Sequence, residues 1–291
     1  MYPLGYPMEF ASSSQVAVDA AQARWGPWPQ LFEGPPLEIA IDVQEGPEAA
    51  SPPSYQGDKG EVLFYCDPSN LASFSAPAMR GLLRVSPRTI AKHRWFEYHF
   101  FDALVLTALD LVYFQPLHAA CVLSGDRGLI LCGESGAGKT TLAYAAAQAG
   151  WTLVSEDGLH LAPDTAASVV GGYWVFRLRQ AARDLFPELN HLPLLETGNG
   201  KMAMEVDAVA AGMKTAWSAQ AGPAVFLSRR PGPAALRPFD PDLALAYYLR
   251  VPEQMIREGS EQRLREIVAR GCHLLEYERP EDALALLEGL A

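Results

Sequence analysis

The chain has 291 residues, and 23 Lys+Arg against 34 Asp+Glu give it a formal charge of −11; 49% hydrophobic and 20% charged residues is the balance of a folded globular protein. That charge excludes a protein that coats nucleic acid or an anionic membrane, because both need a basic face, yet it leaves room for a pocket that binds one polyanion. Four cysteines without a C-x-x-C pair point to reduced, buried thiols rather than a disulfide framework or structural zinc.

Residues 1–15 lack the basic start and apolar run of a signal peptide, so a cytoplasmic protein is expected. Residues 1–92 read as a β- and loop-rich region. Turn residues crowd it at Gly26-Pro27, Gly34-Pro35-Pro36, Gly46-Pro47 and Ser51-Pro52-Pro53. Strands are predicted at Leu37–Val43, from its apolar/polar alternation, and at Glu61–Tyr65, which the breaker Asp67-Pro68-Ser69-Asn70 follows. No catalytic pattern stands out there. A second domain is expected over 93–291, opening with a long helix over 93–113. Its apolar run from Trp95 to Phe114 is interrupted by Glu97, His99, Asp102 and Asp110, which suits a buried core helix and not a membrane span.

After Pro116 the pattern sharpens. His118–Ser124 reads as a strand, Gly125-Asp126-Arg127 as a turn and Gly128–Cys132 as a second strand, hence a hairpin. The loop Gly133-Glu134-Ser135-Gly136-Ala137-Gly138-Lys139-Thr140 follows, then an Ala-rich helix from Thr141 to Gln148 ended by Gly150, then the strand Trp151–Ser155. The loop fits G-x-x-x-x-G-K-[ST] at every defined position, against roughly 0.003 matches expected by chance in this composition. Glycines let consecutive N–H groups turn inward around phosphate oxygens, and the helix start points its positive end at the same anion. Lys139 bridges β- and γ-phosphates, and Thr140 offers its hydroxyl to Mg²⁺. A crossover helix places the strand ending at Ser155 parallel to the loop strand, with its carboxyl end at the same edge. The acids Glu156 and Asp157 therefore reach the phosphates, and strand alternation turns them in different directions, one toward the metal and one toward an acceptor. His118, at the start of the hairpinned strand, is expected near them.

These residues together resemble the catalytic domain of the HPr kinase/phosphorylase family. The likeness runs from His118 to about Leu161: a His-initiated strand, a G-x-S-G-x-G-K-[ST] loop, an Ala/Leu helix ending in Gly, and an apolar strand closing on two carboxylates. The first carboxylate is Glu156 where the family has Asp, and Ala119 follows His118 where the family has Gly. The resemblance implies an α/β fold with a mixed sheet, of the PEP-carboxykinase-like nucleotide-binding type. It implies that Gly133–Thr141 bind ATP, and that Thr140 and Asp157 hold Mg²⁺. Lys139, Glu156, Asp157 and His118 would then carry catalysis, with Glu156 as base for a serine-type hydroxyl on a protein, a peptide or free serine. A homo-oligomer is compatible with it; nucleic-acid and membrane partners are not expected. The alternative is an ATP-binding regulator with no acceptor, which would need the loop and metal site but not a second acid. A third reading, PEP-carboxykinase-like metabolic chemistry, lacks a second metal cluster.

Further along, Arg177 and Arg179 share a strand face by period two, and Gly198-Asn199-Gly200-Lys201 is a hairpin turn signal with Lys201 as a candidate nucleotide contact. Ala224–Ser228 is a buried strand that delivers Arg229 and Arg230, candidate phosphate-sensing arginines, to an edge. Beyond Asp240, helices over 241–250, 261–270 and 280–290, with a strand at His273–Tyr277, read as packing without chemistry.

Overall fold

The computed structural model describes residues 1–125, 127–164, 167–250 and 259–290. The chain divides into two compact units, Met1–Tyr113 with Glu196–Lys201 and Phe114–Leu195 with Met202–Ala291. Helices and several sheets are mixed throughout.

The first unit is built on a six-stranded sheet. Along the chain come β1 (Met8–Ser12), α1 (Gln15–Trp25), β2 (Leu37–Val43), β3 (Ser54–Asp58), β4 (Glu61–Asp67), β5 (Asn70–Ser75) and β6 (Arg80–Val85). The sheet order is β1-β2-β6-β5-β4-β3. β1, β2 and β6 are parallel and the remaining pairs antiparallel. β2 shows the cause in miniature. Leu37, Ile39 and Ile41 are buried while Glu38 and Ala40 face out, the alternation of a strand with one wet side. On that wet side Glu38 and Asp42 pair with Arg80 and Arg84 of the parallel neighbour.

Two short helices, α2 (Pro87–Ile90) and α3 (His93–Phe96), lead through a π-helical turn at Glu97–Phe101 into α4 (Asp102–Val112), so the helix expected from residue 93 is present with a bulge in it. The bulge sits where Phe100 and Phe101 are both fully buried. Arg24 of α1 pairs with Asp102. This corrects the expected domain boundary. The division falls at 113/114 and not at 92/93, because α4 packs against β5 and β6 and so belongs to the first unit. No helix among the described residues is long and apolar enough to cross a membrane.

The second unit contains β7 (Gln115–Leu123), β8 (Arg127–Cys132), α5 (Lys139–Gln148), β9 (Thr152–Ser155), β10 (Gly158–Leu161), β11 (Ser168–Val170) and β12 (Val175–Leu178). The two-residue β13 (Leu195–Glu196) straddles the division along the chain. Then follow β14 (Met202–Asp207), β15 (Ser218–Arg229), β16 (Ala235–Pro238), α6 (Pro241–Tyr248), α7 (Ser260–Val268), β17 (Cys272–Tyr277) and α8 (Pro280–Leu287). The main sheet has the order β11-β10-β7-β8-β15-β17-β16. β8, β15 and β17 are parallel, β7 is antiparallel to β8, and β9 pairs antiparallel with the second half of β7. β9 is therefore parallel to β8 with β7 between them, and both end at one edge. Of the turn expected at Gly125-Asp126-Arg127, Asp126 lies outside the described residues.

Along β8 the side chains alternate between two buried faces. Leu129 and Leu131 join Leu142, Ala146, Leu284 and Leu287 on the α5 and α8 side. Ile130 and Cys132 join Leu245, Tyr248, Leu264 and Ile267 on the α6 and α7 side. Helices on both faces thus hold the strand that feeds the loop. The four cysteines are free thiols, three of them buried.

Candidate functional site

β8 ends at Cys132, and the chain turns through Gly133, Gly136 and Gly138 with φ of 151°, 90° and 102° before α5 starts at Lys139. Glycine is required at 138. A Cβ there would stand 2.4 Å from the Tyr277 hydroxyl oxygen, in a left-handed conformation that side chains rarely adopt. The Tyr277 hydroxyl in turn donates to the Ala137 carbonyl at 3.4 Å. Glu134, Ser135 and Gly136 form the exposed crown of the loop, and Thr141 is half-buried in the first turn of α5.

Lys139 is 6% exposed and folds back under the loop. Its Nζ donates to the Gly133 carbonyl at 2.7 Å and to His118 Nε2 at 3.0 Å. Burial lowers the lysine's pKa, opposed by Asp157, Cys132, Glu134 and Glu156 around it. With the ammonium as donor, Nε2 of His118 accepts, so the ring proton sits on Nδ1, 3.5 Å from Asp157 Oδ1. The pairing of β10 with β7 sets Gly158 opposite His118, which is why the residue before Gly158 lies beside that histidine.

The two acids differ sharply. Glu156 is 5% exposed, accepts from the Thr140 hydroxyl at 2.9 Å and lies 3.5 Å from Arg177 Nη1. Burial, then the neighbouring Asp157, pushes its carboxyl up to about 7 against the pull of Thr140, Arg177 and Lys139. The Asp157 side chain is 55% exposed. Strand alternation does not set these directions, since β9 stops at Ser155, whose hydroxyl donates to the Gly158 carbonyl and closes a turn around both acids. It is Glu156, and not Asp157, that is brought to the Thr140 hydroxyl, opposite to the expected division of labour.

Other expectations fare unevenly. Arg177 on β12 reaches Glu156, whereas Arg179 lies beyond the end of that strand, at the residue before the following 3₁₀ turn. Gly171 permits the approach: a Cβ there would meet Ser155 Cβ at 2.4 Å, so only glycine lets the segment before β12 pass β9 so closely. Arg230 goes to Glu276, shared with Arg237, because Glu276 sits opposite Ser228 on the face Arg230 also occupies. Arg229 donates to the Glu278 carbonyl at 3.4 Å. Neither arginine is brought to Lys139, Thr140 or the acids. Lys201 belongs to the first unit, where the Thr197 N–H closes its turn onto the Lys201 carbonyl.

The C-terminal helices carry more than packing. Tyr247 on α6 bonds to Gly133, and Arg250, just past the end of α6, pairs with Glu134 of the loop. A Tyr in a helix gives no sequence signal for this. Asp240, at the N-cap, accepts from the N–H groups of Asp242 and Leu243 and so fixes where α6 begins.

No protein-family model matches the chain, and no curated protein matches it. Among solved structures it is similar to the HPr(Ser) kinase/phosphatase from Coxiella burnetii, at 16% identity and a TM-score of 0.30, over 60% of this chain and 93% of that one. The likeness is distant.

Proposed function

We propose that this protein is an ATP- and Mg²⁺-dependent kinase that transfers the γ-phosphoryl group to a serine-type hydroxyl on a protein, a peptide or free serine. One observation carries the reading: a G-x-x-x-x-G-K-T loop at the start of a helix, with Lys139 buried beneath it and two acids of contrasting exposure beside Thr140 and His118. In this reading the loop N–H groups and the N-terminus of α5 receive the phosphates, and Lys139 turns from Gly133 to the β/γ oxygens. The donor set suits a hard cation. The Thr140 hydroxyl and the Glu156 carboxylate are oxygen ligands already 2.9 Å apart, and they would hold Mg²⁺. When bound, the ion neutralises charge on the β- and γ-oxygens.

Asp157, being exposed and aligned by His118, then takes the part expected of Glu156. It aims the acceptor hydroxyl and accepts its proton while the new O–P bond forms and the bond to the β–γ bridging oxygen breaks, releasing ADP. A carboxylate need not be strongly basic for this, since phosphoryl transfer is largely dissociative and positioning dominates.

The test is calorimetric titration with Mg·ATP, followed by radiolabel transfer from γ-labelled ATP to free serine and to a serine-peptide library. Failure to bind at millimolar Mg·ATP would overturn the nucleotide reading. Binding without transfer to any acceptor, alongside release of phosphate, would favour the regulator.

A further inference from the structure

The Gly133 carbonyl, at the hinge between β8 and the loop, has two donors. Lys139 Nζ reaches it at 2.7 Å and the Tyr247 hydroxyl at 2.9 Å. That hydroxyl also accepts from the Gly133 N–H at 3.1 Å and lies 3.1 Å from the His118 carbonyl. A phenol has a single proton, so it can serve only one of the two carbonyls at a time. While Lys139 occupies Gly133, the tyrosine proton is free for His118. Gly133 is buried, so its carbonyl cannot turn to water if the lysine departs. His118 lies at an exposed position, where its carbonyl can.

We infer that Tyr247 is a positioning residue for nucleotide binding: its hydroxyl proton passes from the His118 carbonyl to the Gly133 carbonyl when Lys139 leaves for a phosphate, so that the loop is never left with an orphaned acceptor. The inference rests on the nucleotide reading of the loop. The hydroxyl is well held for this. The Tyr247 ring stands edge-on to Phe226 with centroids 5.3 Å apart, and Arg250 lies 5.6 Å over its face while pairing with Glu134. Burial pushes the phenol up to about 12, so it keeps its proton at neutral pH.

The experiment is a double-mutant cycle on the full chain, titrating Mg·ATP by calorimetry into the wild type, Tyr247→Phe, Lys139→Met and the double variant, each checked for folding by circular dichroism. Tyr247→Phe should weaken Mg·ATP on the order of tenfold, because the bound state alone then contains a buried carbonyl without a donor. In the Lys139→Met background no lysine departs, so the same change should alter affinity by less than about twofold. Should either tyrosine variant not fold, Tyr247→Met, which likewise lacks a donor, takes its place against the same lysine backgrounds with the same expected losses. Wild-type affinity in Tyr247→Phe would overturn the inference. So would an equal loss in both backgrounds, which is the mark of a loop merely held in shape. Absence of Mg·ATP binding to the wild type would instead defeat the nucleotide reading on which the inference stands.

Discussion

Glu156→Gln should make the free protein more stable at alkaline pH while damaging its site. The Glu156 carboxyl is buried, and burial together with Asp157 raises its pKa from 4.5 to about 7. Between those values the folded protein holds a proton that the unfolded chain has released. Stability is therefore full below about 4.5, falls as the pH rises, and the loss is complete above about 7. That gap, at ~1.36 kcal/mol per pH unit, amounts to about 3 kcal/mol. Glutamine keeps a carbonyl oxygen for the Thr140 hydroxyl and cannot ionise, so the variant escapes the loss. Urea unfolding of both proteins without metal or nucleotide, from pH 4.5 to 8.5, measures the difference directly. The variant should match the wild type at the acid end and exceed it by about 3 kcal/mol at the alkaline end. A difference that stays constant with pH, or that favours the wild type at pH 8.5, would refute the account of Glu156 as a carboxylate strained by burial.

Lys139→Ala should weaken Mg·ATP by at least tenfold in a calorimetric titration, since a charge-assisted bond to phosphate is worth ~1.5–3 kcal/mol; unchanged affinity in a folded variant removes the loop from the site. Asp157→Asn should leave Mg·ATP affinity within a few-fold and lower kcat by ~10²–10⁴ in single-turnover transfer, whereas Glu156→Gln should raise the Mg²⁺ requirement, with part of the activity restored by Mn²⁺; exchanged phenotypes would make Glu156 the base and Asp157 the metal ligand, the roles first expected from the sequence. Arg177→Ala should carry the alkaline loss of stability to still higher pH, because a cation that holds the Glu156 carboxyl down is gone, as the same urea series would record. Gly138→Ala should cost about 1–3 kcal/mol in that assay, since the residue must keep a left-handed φ against the Tyr277 hydroxyl.

Local rules read the second unit well wherever one short stretch decides the outcome. The hairpin of β7 and β8, the loop and α5 all lie within about 35 residues, and glycine placement, alanine content and apolar alternation each act at that range. The two halves of β7 could not be read so. One pairs with β10 and the other with β9, and a strand of nine residues does not announce that it will serve two partners. The domain boundary failed for a similar reason. A change from turn-rich to helical composition marks residue 93, but packing of α4 on β5 and β6 decides which unit owns the helix. Tyr247 lies 114 residues from the glycine it bonds, beyond the reach of any periodicity.

The acids were legible as a pair and not as individuals. Alternation along a strand assigns opposite directions to neighbours only while the strand continues, and β9 has ended one residue before Glu156. What separates the two is pairing elsewhere. Gly158 stands opposite His118, which leaves Asp157 beside the histidine and in water. Glu156, one step earlier, lies between the first turn of α5, whose Thr140 hydroxyl donates to one of its oxygens, and β12, whose Arg177 donates to the other. The longer side chain of glutamate suits this placement, because the carboxylate must reach a helix from the end of a buried strand. Which acid meets the metal-binding hydroxyl therefore depends on the register of the strand that follows the pair, and a shift of β10 by one residue against β7 would set Asp157 opposite His118 and withdraw Glu156 from Thr140.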